Sequence, residues 1–229
     1  MSYFRNFIEL FYPRICYACG GSLHAHEEIV CAICLHQLPK TNFYIQAENP
    51  LTEALWGRVP LEHVSAMLYF HKGNKVQNLI HHLKYKGQKE IGHYLGMIYG
   101  KDLLKSSFYQ KVDVIVPVPL HPKKKRKRGY NQSEIIAQGI SEILKKPVDT
   151  STLIKTVASE SQTRKSRLNR WLNVKEVFSV SDKNCLKDKH ILLVDDVFTT
   201  GATCDACATQ LMEIPGVKIS VVTIACTVQ

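Results

Sequence analysis

The sequence predicts an α/β protein: a parallel central sheet flanked by helices, preceded by a small cysteine-bearing module. Three observations carry that expectation. Cys16-x-x-Cys19 and Cys31-x-x-Cys34 are two knuckles separated by eleven residues near the amino terminus. Val112-Asp-Val-Ile-Val-Pro117 is an apolar run of strand length, stopped by prolines that cannot continue a central ladder. His190-Ile-Leu-Leu-Val-Asp195-Asp196 is another, running into a loop rich in hydroxyls and glycine and then into a helical pattern. A length of 229 residues with 45% hydrophobic content suits one α/β domain of ordinary size plus a small appendage, and excludes wholesale disorder.

In chain order, residues 1–12 read as an amphipathic helix, interrupted by Arg5 and Glu9 and without a small-residue cleavage site. That pattern is not a signal peptide, and no window approaches the ~18 consecutive apolar residues of a spanning helix. The expectation is therefore a cytoplasmic protein with no membrane span and with reduced thiols. Under reducing conditions the four cysteines, Cys16, Cys19, Cys31 and Cys34, suit one tetrahedral Zn²⁺, a structural site with no open position. Gly20 and Gly21 follow the first knuckle, where the chain must turn tightly. A disulfide pair, disfavoured by a reducing compartment, and a redox C-x-x-C, which would not need two knuckles, are the other readings. His24 and His26 lie in the intervening loop and read as surface residues that could substitute as ligands.

The module is expected over residues 1–50 and the main domain over 60–229, with Pro50 to Pro60 as linker. Val64 to Phe70 reads as a strand. Val76, Leu79, Ile80 and Leu83 fall at helical spacing, and a second helix is expected from about Glu90 to Lys105. After Pro122 comes Lys123-Lys-Lys-Arg-Lys-Arg128, read as a basic loop, then a helical pattern from Glu134 to Leu144. The net charge is +10, and removing the six charges of that run leaves +4, so the excess is local. A loop of this kind can meet pyrophosphate, single- or double-stranded DNA, or only solvent, and the first two are compatible. Gln162 to Asn173 is a second basic stretch, with Arg164, Arg167 and Arg170 every three residues; it is either a cover over a site or an exposed charged helix. Cys204-x-x-Cys207 reads as two small residues packing a helix onto the sheet.

The chemistry concentrates at Asp195-Asp196-Val-Phe-Thr199-Thr200-Gly201-Ala202-Thr203. In a parallel sheet the carboxylates and loop stand at the carboxyl end of a strand, where open sheets bind ligands. The carboxylates suit a vicinal diol or a hydrated Mg²⁺. The loop hydroxyls and the start of the next helix suit a phosphate. One segment could therefore hold a sugar by its hydroxyls and by its phosphate.

This segment resembles the ribose-5-phosphate signature of type I phosphoribosyltransferases. With the four-cysteine motif, Val116-Pro-Val-Pro-Leu-His-Pro122, Arg128-Gly-Tyr-Asn-Gln132 and Gln162…Arg170-x-x-Asn173, the chain is similar to the ComF family. The resemblance implies a Rossmann-like type I phosphoribosyltransferase core with a zinc-ribbon-like amino-terminal module. It implies contacts to 5-phosphoribosyl-1-pyrophosphate (PRPP) with Mg²⁺ from Asp195 and Asp196, the candidate catalytic pair, and from Thr199, Thr200, Gly201, Ala202 and Thr203. Arg128 would lie near pyrophosphate, with Lys84 a further candidate. It also implies a link to DNA uptake and to competence or DNA-processing proteins. The chain departs from the family pattern at Lys165 and Cys204, away from the acidic pair.

The implied reaction is displacement of pyrophosphate from C1 of PRPP. Relatives that salvage 6-oxopurines carry an acid where this chain has Thr199, and a threonine hydroxyl is no base near neutral pH, which argues against that acceptor. The chain is too short to add a glutaminase domain to this fold. Non-catalytic PRPP sensing, and a zinc-ribbon scaffold with a vestigial site, are the other readings.

Overall fold

The computed structural model describes residues 14–155 and 177–227; the expected helix over 1–12 and the stretch Gln162 to Asn173 lie outside them. The core is a four-stranded parallel sheet of β1 (His63–Tyr69), β2 (Val114–Pro117), β5 (His190–Phe198) and β6 (Lys218–Cys226), in the order β1-β6-β5-β2. β3 (Leu153–Lys155) and β4 (Phe178–Val180) pair antiparallel as a separate ribbon. The helices are α1 (Ala32–His36), α2 (Pro50–Leu55), α3 (Lys75–Tyr85), α4 (Lys89–Leu103), α5 (Pro122–Arg128), α6 (Gln132–Leu144) and α7 (Ala202–Leu211).

β5 and β6 are nearly continuous apolar runs because both faces of the sheet are covered. Leu192 and Val194 face the layer of α3, α4 and α6 with Leu83, Leu95 and Ile136, whereas Ile191 and Leu193 face α7 with Cys207, Ala208 and Leu211. The chain thus leaves β2 toward one face and β5 toward the other. Between the carboxyl ends of these neighbouring strands the connections diverge, the topological switch point at which open sheets form a crevice. β2 pairs as far as Pro117 with Val194, so Asp195 is the first residue of β5 beyond its neighbour's end.

Two expectations change in the structure. The stretch read as a linker contains α2, capped by the Asn49 side chain accepting from the N–H groups of Leu51 and Thr52, with Leu51 and Leu55 in the core. Proline at the first helical position and an Asn cap are helix-start signals that outweigh the loop-like composition. The basic run is helix α5, not a loop. Pro122 opens it, Gly129 at φ +84° closes it with its N–H on the Lys125 carbonyl, and cations at the carboxyl end suit the helix dipole. Lys125 also meets Glu134 at 3.2 Å, which offsets part of the self-repulsion.

The cysteine module is continuous with this core. Cys16, Ala18, Cys34 and Leu38 share one apolar cluster with Leu79, Leu83 and Ile224. Residues 39–41 run along the free edge of β1, with Tyr69 N–H on the Pro39 carbonyl (2.8 Å) and Thr41 N–H on that of Met67 (3.1 Å). An exposed sheet edge is thereby covered.

α4 and α6 cross at near backbone contact. A Cβ at Gly139 would sit 2.2 Å from the His93 carbonyl oxygen, and one at Gly96 2.4 Å from that of Ile136. Gly139→Ala is therefore expected to destabilise the fold by about 1–3 kcal/mol despite alanine's better helix propensity, read as a lower midpoint in urea.

Candidate ligand site and cysteine cluster

The two carboxylates leave the strand end toward different partners, as the period of two requires. Asp196, buried, faces α3 and pairs with Lys84, Nζ to Oδ1 2.8 Å. Asp195, half-buried, accepts from the Ser133 hydroxyl at 2.9 Å, and from the Asp196 N–H at 2.8 Å, on the same Oδ1. Ser133 stands in the first turn of α6, whose cap Asn131 also ties the chain to the Val118 carbonyl at 3.0 Å. Burial, and then the neighbouring charge of Asp196, push the Asp195 carboxyl up to about 7, against the downward pull of the Asp196 N–H, Ser133 and Lys84.

Arg128 joins this group from the end of α5. Its guanidinium lies 5.3 Å from the ring centroid of Tyr85, the residue after Lys84, and donates to Gln132 Oε1 at 2.8 Å. At the switch point the acidic pair therefore lies with Lys84, and Arg128 stands beside Tyr85 at the end of α5, whose other cations are exposed. Thr199, Thr200, Ala202 and Thr203 are exposed where β5 turns into α7. Gly201 is buried there at φ +74°, and a Cβ would lie 2.7 Å from the Phe198 ring and 2.8 Å from Leu55. Only glycine fits both the backbone and the space.

The structure thus brings Lys84 and Asp196 into contact, places Arg128 one residue away through Tyr85, and sets the Thr199–Thr203 loop on the same strand. No local pattern singles out Ser133 or Tyr85, since a serine in a first helical turn and an exposed tyrosine have ordinary uses. Lys155 on β3 was also passed over. Its ammonium stands 4.7 Å from the Phe178 ring centroid, and burial holds its pKa below that of ordinary lysine, partly countered by Cys207 and Asp195.

The four cysteines converge as their spacing predicts: their sulfurs all lie within 4.8 Å of one another, and all are free thiols. Tetrahedral zinc–thiolate sites hold sulfurs about 3.8 Å apart around Zn–S bonds of about 2.3 Å. Two backbone N–H groups already point at sulfur, Cys31 N to Cys16 Sγ at 3.3 Å and Cys34 N to Cys31 Sγ at 3.4 Å. Burial raises the Cys16 thiol, but the backbone N–H groups of Cys31, Cys19 and Ala18 and the Cys19 side chain bring it down to about 7, as a thiolate ligand needs. Cys34 goes the other way, to about 12, through burial and then the adjacent thiols. Four crowded thiols that cannot all ionise alone are the donor set for one divalent cation, and Zn²⁺ fits it. His24 and His26 stack on each other at 6.4 Å and are not part of the cluster.

No family model matches the chain. Among characterised proteins, competence protein F of Haemophilus influenzae is 26% identical over 228 residues, 92% of this chain and 96% of that protein. The chain is similar to competence proteins. Competence protein ComFC of Bacillus subtilis is 24% identical over 200 residues, 87% of this chain and 78% of that protein. The DNA utilization protein YhgH of Escherichia coli is 26% identical over 206 residues, 83% and 87% of the two. Among solved structures, the allosteric regulatory enzyme of purine biosynthesis aligns with a TM-score of 0.44 at 18% identity, over 62% of this chain and 30% of that chain. A purine phosphoribosyltransferase from Pyrococcus horikoshii aligns with a TM-score of 0.39 at 19% identity, over 59% and 73%. The chain spans less than a third of the first of these. No helix among the described residues is long and apolar enough to cross a membrane.

The Asp195 environment gives a signed pH dependence. Its carboxyl titrates near 4 in an unfolded chain and at about 7 in the fold, so between those values the folded state keeps a proton that the unfolded state has released. Its contribution to stability is full below about pH 4, declines as pH rises to about 7, and stays lost above. Asp195→Asn is expected to match the wild-type melting temperature near pH 4 and to exceed it at pH 8. The rise should be on the order of 10 °C, from about three pKa units at roughly 1.4 kcal/mol each and roughly 2–4 °C per kcal/mol for a chain of this size, read by calorimetric scans across pH.

Proposed function

We propose that the switch-point crevice binds PRPP with Mg²⁺, and that this is the ligand around which the relatives' competence role is built. The observation that carries the reading is the adjacent pair Asp195–Asp196 at the carboxyl end of β5, held by Lys84 and Ser133 and followed at once by a threonine-and-glycine turn into α7. A phosphorylated sugar needs acceptors for its hydroxyls and donors for its phosphates, a few ångströms apart. Asp195 and Asp196 accept from the ribose hydroxyls, directly or through the hydrated metal ion. The hydroxyls of Thr199, Thr200 and Thr203 and the first N–H groups of α7 receive the 5′-phosphate. Lys84 and Arg128 take the pyrophosphate, and Lys84 does so by exchanging Asp196 for a phosphate oxygen, which frees the carboxylate for the sugar.

If transfer follows, an acceptor nucleophile would bond to C1 as the C1–O bond to pyrophosphate breaks, Lys84 and Arg128 would take up the charge of the leaving group, and the aspartates would hold the ribose; Mg²⁺, when bound, would supply further charge neutralisation. Thr199 offers no acidic group to the acceptor, in agreement with an acceptor other than a 6-oxopurine. Titration calorimetry with PRPP and Mg²⁺ tests the site: saturable binding is expected, at least about tenfold weaker in Asp195→Asn and Asp196→Asn, the loss of one charge-assisted hydrogen bond. Equal affinity in the variants rules out the assignment. Pyrophosphate release over a panel of bases then separates transfer from sensing.

The names of the relatives favour a second partner, DNA, at the exposed cations of α5. Phosphate contacts by Lys124, Arg126 and Lys127 make log affinity fall steeply with log salt. Converting all three to glutamine is expected to reduce that slope by about 2–3 in fluorescence anisotropy with single- and double-stranded oligonucleotides. An unchanged slope removes α5 from the interface.

A further inference from the structure

The cysteine module and the acidic pair are served by one helix. α3 carries three stripes of residues. Val76, Leu79, Ile80 and Leu83 bury into the core. Lys84, in the last turn, holds Asp196. Lys75, Asn78 and His82, at i, i+3 and i+7, form the third stripe, and each of them meets the cysteine module.

Those contacts are specific. Asn78 Nδ2 donates to the carbonyl of Ala18, inside the first C-x-x-C, at 2.9 Å. The His82 ring lies 5.2 Å from the ring of Tyr17, in the same knuckle. Tyr17 in turn donates from its hydroxyl to Gln88 Oε1, at the cap of α4, at 3.0 Å. Lys75 donates to Gln37 Oε1, three residues past Cys34 of the second knuckle, at 2.7 Å. The module therefore grips the helix at its first turn, its middle and its end. It also grips the turn beyond it, and His82 and Gln88 bracket Lys84 on both sides.

A C-x-x-C turn has no fixed shape of its own. The Ala18 carbonyl and the Tyr17 ring are where they are because four sulfurs converge within 4.8 Å, and a bound cation is what makes that convergence rigid. The first knuckle runs from Cys16 to Cys19 with both gripping residues between its ligands, so any loosening of the cluster is transmitted to α3 without an intermediary.

We propose that the cysteine module is the positioning element for Lys84: closed on its metal, it sets the carboxyl end of α3 so that the ammonium reaches Asp196. Asn78 and His82 are the positioning residues on the helix. Opening of the cluster releases Lys84, leaves Asp196 without its cation and brings the two carboxylates into uncompensated repulsion. Metal occupancy is thereby read at the crevice. Only the consequence for ligand affinity rests on the function proposed above; the position of Lys84 does not.

The test reads Lys84 directly. Full-length, metal-loaded protein is acetylated with an amine-reactive ester, and the rate at Lys84 is compared with the rates at exposed Lys101 and Lys187 by peptide mass spectrometry, with metal content measured on the same samples. In wild type Lys84 should react slowly. Asn78→Ala and His82→Leu leave all four cysteines in place. Each is expected to keep one metal per chain and to raise the Lys84 rate with the reference lysines unchanged: Asn78→Ala about fivefold, the opening that loss of one net hydrogen bond allows, and His82→Leu by a similar factor through loss of its ring contact with Tyr17. Removal of the metal by chelation should raise it further. Gly139→Ala, which weakens the fold away from this contact, should leave Lys84 at the wild-type rate well below its melting temperature. Wild-type Lys84 rates in both metal-replete helix variants overturn the proposal. So does a rise confined to chelated protein in which every lysine reacts faster, since the module then only holds the fold together. Failure of PRPP to bind the wild type would sink the function reading and leave this result standing.

Discussion

Two carboxylates side by side at the end of a buried strand repel each other and resist leaving water, and the surrounding structure can be understood as the answer to that cost. Asp196 is buried with a lysine at 2.8 Å. Asp195 keeps partial exposure and has a hydroxyl and a backbone N–H on one oxygen. Even so its carboxyl is pushed up to about 7. An unpaired charge in such a place would cost several kcal/mol. The pair therefore depends on α3 and α6 arriving at fixed depth, one bringing Lys84 and the other Ser133. The close crossing of α4 with α6 at Gly96 and Gly139 sets the depth of α6, and the grip of the cysteine knuckles on α3 sets that of α3.

Much of this was legible in the chain. Buried parallel strands announce themselves as apolar runs, and a ligand segment at the end of one announces itself by putting charge where the run stops. The cysteine spacing was equally direct, because metal geometry leaves few alternatives to two C-x-x-C turns. Asp195, Asp196, Cys16, Cys19, Cys31 and Cys34 could therefore be named from the residues alone. Ser133 could not be, because its role comes from the first turn of α6 passing the end of β2, which is a property of the strand order β5-β2 and of no local pattern. Lys84 came only through resemblance. In isolation it is one lysine among many on an amphipathic helix.

The two revised elements share a physical cause. Composition marks Pro50–Pro60 as linker and Lys123–Arg128 as loop, since proline-rich and like-charged stretches usually avoid regular structure. Both are nevertheless short helices, and each opens with proline in its first turn after a capping side chain, Asn49 and His121. A cap and a fixed φ are local signals worth about 1 kcal/mol each, enough to decide a helix of one or two turns when its surroundings are permissive. For α5 the result matters chemically: a helix spreads six cations around an axis, so only some of them can face one ligand while the rest face outward.

α2 shows why the supposed linker belongs to the site. Leu55 lies where a Cβ on Gly201 would have to go, 2.8 Å away, with the Phe198 ring on the other side. The turn that leaves Asp195 and Asp196 for α7, with its left-handed backbone at φ +74°, is thus packed against both its own strand and a helix far earlier in the chain. For the phosphate role proposed for it, such a turn presents its N–H groups usefully only if it is rigid before a ligand comes, because ordering it afterwards would consume binding energy. The segment between the cysteine module and the first strand supplies that rigidity. The amino-terminal third of the chain therefore acts on the crevice twice, through α3 on the carboxylates and through α2 on the turn.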